Sequence, residues 1–418
     1  MMVLTAKGKP VEGTFVSRYL GGIFKVYLAF LCFVTICYGW LNWHLHSDWA
    51  IGEWLINYQA GFVRRGLAGE VAFLIGRALH VSPMTVVVIL QLLLYGIIFY
   101  SVWRLLQGTQ WSFWVMLLVF SPATLAFQVL DPPAGFRKED IYLAGLAMLV
   151  LLLSRARVST VLLVLYVSVV CMGCVLCHEP LLCYMPYYLA AVVIGLQSIR
   201  KGLWVSALPF LLSAGAALWA VRRPGTFAMA QKICHSVGET LTLPAVGVCG
   251  GSIYYLGNSK EFAHQELIRY VNAFHYYRIY SICGLLALLP VALGFFVLWR
   301  SPTSRFDLKV LGAAVGAAGA ASLVLFLYAT DWGRWIYIHI FSMFLILLFI
   351  DRRRRTSRPV SEVVRLPRVS TRRALLGAGF LVVYAVCWDL PHIGIYSGRF
   401  GYFGLAHYVA QYRTLHTG

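Results

Sequence analysis

The sequence predicts an all-α polytopic membrane protein, and three observations carry that expectation. The 418-residue chain is 60% hydrophobic and only 12% charged, with a mean hydropathy of +0.75, so lipid rather than water is its solvent. Apolar runs able to cross about 30 Å of hydrocarbon recur along the whole length. Lys and Arg gather in alternate connections between those runs, the bias that sets orientation.

The runs fall at 23–43, 84–103, 111–130, 141–154, 158–177, 180–198, 203–221, 280–299, 310–329, 336–350 and 374–390. That makes about eleven spans, within a range of roughly ten to twelve. The first is too long for a cleaved signal and has no small-residue cleavage site after it. With the N-terminus in the cytoplasm, the cytoplasmic segments hold 21 of the 35 basic residues and four acids, Glu12, Asp307, Asp351 and Glu362. The outer segments hold the other 14 basic residues, 12 acids and all 11 histidines. The net charge of +19 is then mostly topogenic and implies no nucleic-acid partner. Asp351-Arg352-Arg353-Arg354-Arg355 reads as a stop-transfer anchor touching anionic lipid. The longest cytoplasmic segment, 351–373, has no room for a nucleotide-binding unit. Residues 1–418 read as a single integral membrane domain with large outer loops at 44–83 and 222–279, and no internal repeat stands out.

The outer loops carry the chemistry-bearing residues. The first runs through Asp48, Glu53 and Tyr58-Gln59-Ala60-Gly61-Phe62-Val63-Arg64-Arg65-Gly66. Leu67, Val71, Leu74, Ile75 and Ala78 then share one helical face, as in a helix lying in the interface. Arg64 and Arg65 beside its start suit a phosphate at headgroup height, or else anchor the helix to lipid. The second, Asp131-Pro132-Pro133-Ala134-Gly135-Phe136-Arg137-Lys138-Glu139-Asp140, sets five charges into a loop shaped by proline and glycine. Arg137, Lys138 and Asp140 there either bind a polar substrate or satisfy one another. The third, His178-Glu179, sits at the rim of two very apolar spans, where a polar pair needs partners. Cys171, Cys174 and Cys177 beside it pack as small apolar residues, and no metal is indicated. The fourth holds Asp331 and Arg334, three apart, flanked by Trp332 and Trp335 of an aromatic belt.

In the segment 222–279, Asn258 with Glu261 fits a helix cap. Tyr276 and Tyr277 either stack on sugar rings or dip into the interface. Cys234 and Cys249 are the credible disulfide pair in an oxidising outer compartment.

An outer anion site, carboxylates able to take a hydroxyl proton, aromatics, and no cytoplasmic nucleotide site together suit glycosyl transfer from a polyprenyl-phosphate-linked saccharide. Asp48 ranks first as general base. Glu179 ranks second, with His178 beside it to orient it or act as base itself. The layout resembles the GT-C superfamily of membrane glycosyltransferases. The stretch Asp48 to Gly69 is also similar to bacterial polytopic proteins of surface-polysaccharide synthesis, O-antigen-polymerase-like proteins among them. That resemblance implies a GT-C-like fold, the bacterial cytoplasmic membrane as its site, a periplasmic or extracellular active face, and polysaccharide-assembly proteins as partners. It departs from the superfamily in that Asp48 lacks an adjacent carboxylate, and no large soluble C-terminal domain follows the spans. Two other classes stay open: a flippase or transporter of lipid-linked saccharide, and an acyltransferase or hydrolase built on His178 and Glu179.

Overall fold

A computed structural model describes residues 12–155, 158–241, 246–258, 260–356 and 371–393. Among these residues the chain is all helix and turn, with no strand. The helices are α1 (Glu12–His44), α2 (Leu67–Leu79), α3 (Pro83–Leu106), α4 (Phe113–Val119), α5 (Phe127–Leu130), α6 (Pro132–Gly135), α7 (Glu139–Leu153) and α8 (Thr160–Cys177). They continue as α9 (Met185–Leu196), α10 (Ile199–Val221), α11 (Phe227–Ser236), α12 (Lys260–Ala273), α13 (Tyr276–Trp299), α14 (Arg305–Tyr328), α15 (Trp332–Thr356) and α16 (Thr371–Val386).

Among the described residues, eight helical segments are long and apolar enough to cross a membrane, so the protein is a multi-pass membrane protein. They coincide with the runs read at 23–43, 84–103, 158–177, 180–198, 203–221, 280–299, 310–329 and 336–350. The other three runs differ, each for a physical reason. The run 111–130 is not one helix but α4, a turn, and α5. Pro122 supplies no amide hydrogen and disfavours the helical conformation at Ser121. Thr124 Oγ1 then donates to the Leu118 carbonyl that Pro122 leaves free (3.0 Å) and to that of Ser121 (2.9 Å), which also takes the Thr124 amide (3.1 Å). The run 141–154 is α7, whose 15 residues rise only about 22 Å, and it is buried on nearly all sides. The last run is the shorter helix α16.

At the centre, α7 packs against α3, α9 and α15, and α15 against α13 and α14. Helix α15 is buried almost throughout, whereas α1, α8 and α10 show their Phe, Leu, Val and Trp side chains outward. The membrane-facing helices are therefore apolar on their outer faces, and the charged clusters lie at the ends of the bundle.

Each end holds its own polar cluster. At one end Arg355 donates to the carbonyls of Leu105 (3.2 Å) and Gln107 (3.3 Å), and Arg352 donates to that of Arg104. Arg353 donates to Gly195 O (3.4 Å), while Asp351 accepts from Arg354 (2.8 Å) and Arg355 (2.9 Å). The basic run is thus the last turn of α15, and it caps the exposed C-terminal carbonyls of α3 and α9. Residues 357–370 of the basic loop lie outside the described residues. Seventeen residues of α15 separate Asp351 from Arg334, about 26 Å of helical rise. The two clusters are a membrane thickness apart.

Helix α2 packs inward through its small residues and not through its Leu and Val side. Ala68, Gly69, Ala72 and Gly76 are buried, and Val71 and Leu74 point outward. A Cβ at Gly69 would strike the backbone carbonyls of Ile56 and Trp54, so only glycine lets the helix lie this close to the preceding loop.

A buried ion network at one end of the bundle

The end opposite the arginine run gathers residues from five distant places: the loop 45–66, the strap 131–140, the hairpin 178–179, the start of α15, and the segment 388–392 after α16. Backbone ties fix the strap first. Trp54 Nε1 donates to Phe136 O (3.1 Å), and Gln91 of α3 donates to Ala50 O (2.7 Å) and Phe136 O (3.0 Å). Tyr95 of α3 donates to Gly135 O and also lies 3.2 Å from Asp140 Oδ1.

On that frame sits a chain of ion pairs. Glu53, fully buried in the short turn Gly52–Leu55, accepts from Arg137 Nε. The Arg137 guanidinium also lies over the Trp49 ring, 5.0 Å from its centroid. Burial opposes the charge on Glu53, but Arg137, then Arg334 and His178, outweigh it and hold the carboxyl far below its usual range. Arg334 pairs with Glu139 and, at 2.5 Å, with Asp331. Burial alone would raise Asp331, yet Arg334 and Arg137 keep it below the ordinary value.

His178 lies inside this chain, stacked on Trp335 with the ring planes 15° apart. Its Nδ1 faces Glu53 (3.6 Å) and its Nε2 faces Glu139 (3.4 Å). Burial, then Arg65, pushes its pKa well below the ordinary histidine value, against the pull of Glu53 and Glu179. The two nitrogens address different carboxylates, and among the described residues no three His, Cys, Asp or Glu converge where one metal ion would sit.

Glu179 turns away from its neighbour to the arginines of the first loop. Arg65 forks it through Nε (3.0 Å) and Nη2 (3.1 Å), and Arg64 Nη1 stands 3.4 Å away. Arg65 adopts φ +67°, a costly conformation for a side-chain-bearing residue. Lys138 Nζ donates 2.6 Å to the carbonyl of Arg65. Burial pushes this ammonium down to about 8, against the pull of Glu53.

The site residues read from the sequence therefore meet, with one set apart. Arg64, Arg65, Arg137, Lys138, Asp140, His178, Glu179, Asp331 and Arg334 share one polar cluster, but the two arginines expected to wait for an anion already have a carboxylate. Asp48 stands at the edge. It is half-buried, its Oδ1 accepts from the Trp49 amide (2.9 Å), and it makes no ion pair among the described residues. Burial raises its pKa, while backbone hydrogen bonds and then Arg137 pull it down. Asp140 also makes no ion pair among the described residues, but it is buried beside Tyr95, whereas Asp48 is only half-buried.

Two features go beyond the sequence reading. Glu53, at the start of a possible local helix where it could cap or pair, pairs with Arg137 and proves to be the buried centre of the network. Asp131 receives His392 twice, from its backbone amide (2.7 Å) and its Nδ1 (2.7 Å), while Tyr280 donates to the carbonyls of Pro391 and His392. No local pattern marks a pairing across 261 residues.

Outside the network, Cys234 and Cys249 form a disulfide that joins α11 to the turn before α12. Asn258 and Glu261 flank Ser259, which lies outside the described residues, as do Lys260's side chain and the residues 242–245. Tyr276 is buried against Trp332, and Tyr277 is exposed. His339, counted above with the outer histidines, instead lies within the α15 span, between Tyr187 OH (2.8 Å) and Ser322 Oγ (2.9 Å), a polar residue at membrane depth. No family model matches the chain, and neither a curated protein nor a solved structure is similar to it.

Proposed function

We propose that the protein is a membrane glycosyltransferase working at the Asp48 end of the bundle, on the outer face of the bacterial cytoplasmic membrane. It takes a sugar unit from a polyprenyl-phosphate-linked donor and passes it to an acceptor hydroxyl. The observation that carries this reading is the juxtaposition of an open, unpaired carboxylate, Asp48, with a rigid cluster of guanidinium groups at the end of an otherwise apolar bundle.

In the reaction the acceptor oxygen bonds to the anomeric carbon, and its proton passes to the Asp48 carboxylate. The bond from that carbon to the donor phosphate oxygen breaks, and the phosphate keeps the electron pair. Arg64 and Arg65, with side chains 33% and 25% exposed, meet the phosphate charge. Glu179 holds their planes until the donor arrives. Arg137 fixes the Asp48–Glu53 loop from beneath, through Glu53 and the Trp49 ring. The charge asymmetry of the chain supports the orientation, because the arginine-capped end is the side richest in topogenic charge.

Deletion of the gene in its host tests the reading. Extracted membranes should accumulate a polyprenyl-linked saccharide, and the cell envelope should lose one polysaccharide. An unchanged lipid-linked pool together with an unchanged envelope would overturn it.

A further inference from the structure

The lipid-facing end of α10 carries an arginine that nothing above uses. Arg223 lies 3.7 Å over the Trp219 ring and 5.7 Å from the centroid of Phe62. Trp219 is 52% exposed on the outside of the bundle. Phe62 belongs to the loop that two residues later presents Arg64. That loop is turned by Gly61 at φ +98°, where Gly61 N donates to Tyr58 O (2.9 Å). The turn folds Phe62 back onto the Tyr58 ring, their planes 18° apart, and sets its edge against Trp219. Helix α10 runs beside α8, whose end delivers Glu179, so the clamp adjoins the Arg64–Arg65 pair.

Most cations of this end are neutralised within the fold. Arg137 has Glu53, Arg334 has Glu139 and Asp331, and Arg65 has Glu179. Among the described residues Arg223 has no carboxylate. Two aromatic faces hold its guanidinium plane while its N–H edges stay free, and stacking of this kind orients a guanidinium without consuming its donors. Its neighbourhood is apolar and open to lipid on one side, and leads toward Arg64 on the other. A ligand fitting both would have a phosphate head and a long apolar tail.

We propose that Arg223, clamped by Trp219 and Phe62, is the exit seat for a lipid phosphate monoester, the carrier freed by transfer, which it takes over from Arg64 and Arg65 and returns to the bilayer. The proposal rests on the transferase reading for the identity of the lipid, and adds the side of the molecule by which the spent carrier leaves. The tail lies along the outer face of α10, past Leu218 and Leu211, both exposed.

The test is native mass spectrometry of the full chain released from nanodiscs containing undecaprenyl phosphate, phosphatidylglycerol, or neither with inorganic phosphate added. Wild type should retain undecaprenyl phosphate over phosphatidylglycerol. Arg223→Ala should weaken that retention at least about tenfold, the loss of one good charge-assisted contact. Arg223→Lys should fail to restore it, since an ammonium lacks the planar edge, and Trp219→Leu should loosen it. Arg223 is exposed at a helix end, so an unchanged thermal midpoint separates lost binding from lost folding. If Arg223→Ala binds like wild type while Arg64→Ala and Arg65→Ala lose the lipid, the exit seat is refuted and the transferase reading survives. If wild type shows no preference for undecaprenyl phosphate, both fall. If inorganic phosphate protects the site as well as the lipid does, the site takes free phosphate and the lipid assignment is overturned.

Discussion

Replacing Glu53 with Gln removes one charge from the centre of the network and changes little else in volume. Its partner Arg137 keeps only 5% of its side chain exposed, so the guanidinium is left buried without a counterion. Breaking a buried pair from one side costs about 3–5 kcal/mol. Arg334 and Lys138 also lean on the Glu53 charge, so the upper part of that range applies. At about 2 °C per kcal/mol, the thermal midpoint should fall by roughly 8–10 °C. Intrinsic tryptophan fluorescence at a fixed scan rate in one detergent reads the shift, because such melts depend on scan rate. Glu266→Gln is the control. Its partner Arg269 is 67% exposed, and an exposed pair of this kind contributes only about 0–1 kcal/mol. The double variant Glu53→Gln with Arg137→Met should recover part of the loss, since an apolar replacement strands no charge. The pH dependence follows from the depressed carboxyl. Its stabilisation is fully present above the unfolded glutamate value of about 4.3 and is lost as pH falls toward the folded value, so Glu53→Gln should flatten the acid limb of the melt. A Glu53→Gln midpoint within about 1 °C of wild type, or a double variant worse than the single, would refute this view of the network.

Three further outcomes follow from the same structure. Burial, with Asp131 second, raises Asp389 to about 6, so the neutral acid is favoured and the wild type loses stability as pH climbs through about 6; Asp389→Asn should melt higher than wild type at pH 8 and no differently near pH 4. A Cβ at Gly333 would press on the backbone of Pro391 and His392, so Gly333→Ala should release the 388–393 segment, seen as lost hydrogen-exchange protection there and a cost of about 1–3 kcal/mol. Cys234→Ser opens a loop of 15 residues and should cost about 3 kcal/mol on a chain-entropy estimate, read as a lower midpoint without reductant and no difference with it.

The membrane helices were legible because an apolar run of twenty residues has one physical reading in lipid, and eight of the runs are such helices. The break at Pro122 was less so, since proline is tolerated within a span, as Pro209 of α10 and Pro290 of α13 show. Hydropathy also cannot separate α7, a short helix sealed inside the bundle, from a crossing one, because both are apolar all round. The site was legible as residue types on one side of the membrane: the loops holding Arg64, Arg137, Glu179 and Arg334 all reach the same end. Their pairing was not, because Glu53 meets Arg137 across 84 positions and Asp131 meets His392 across 261, and charge alone does not choose between partners. The arginine run at 352–355 illustrates the same gap. Its charge sets orientation, but its capping of α3 and α9 depends on where those helices end.

Direct transfer in vitro tests the central claim. The purified protein in nanodiscs is supplied with lipid-linked saccharides extracted from its host's membranes and with the matching acceptor, and product is followed by mass. Wild type should move sugar from the lipid, and Asp48→Asn should do so at least about a hundredfold more slowly while retaining the donor, since the amide keeps the shape but takes no proton. No transfer by wild type from any polyprenyl-phosphate donor, or transfer by Asp48→Asn at the wild-type rate, would contradict the account.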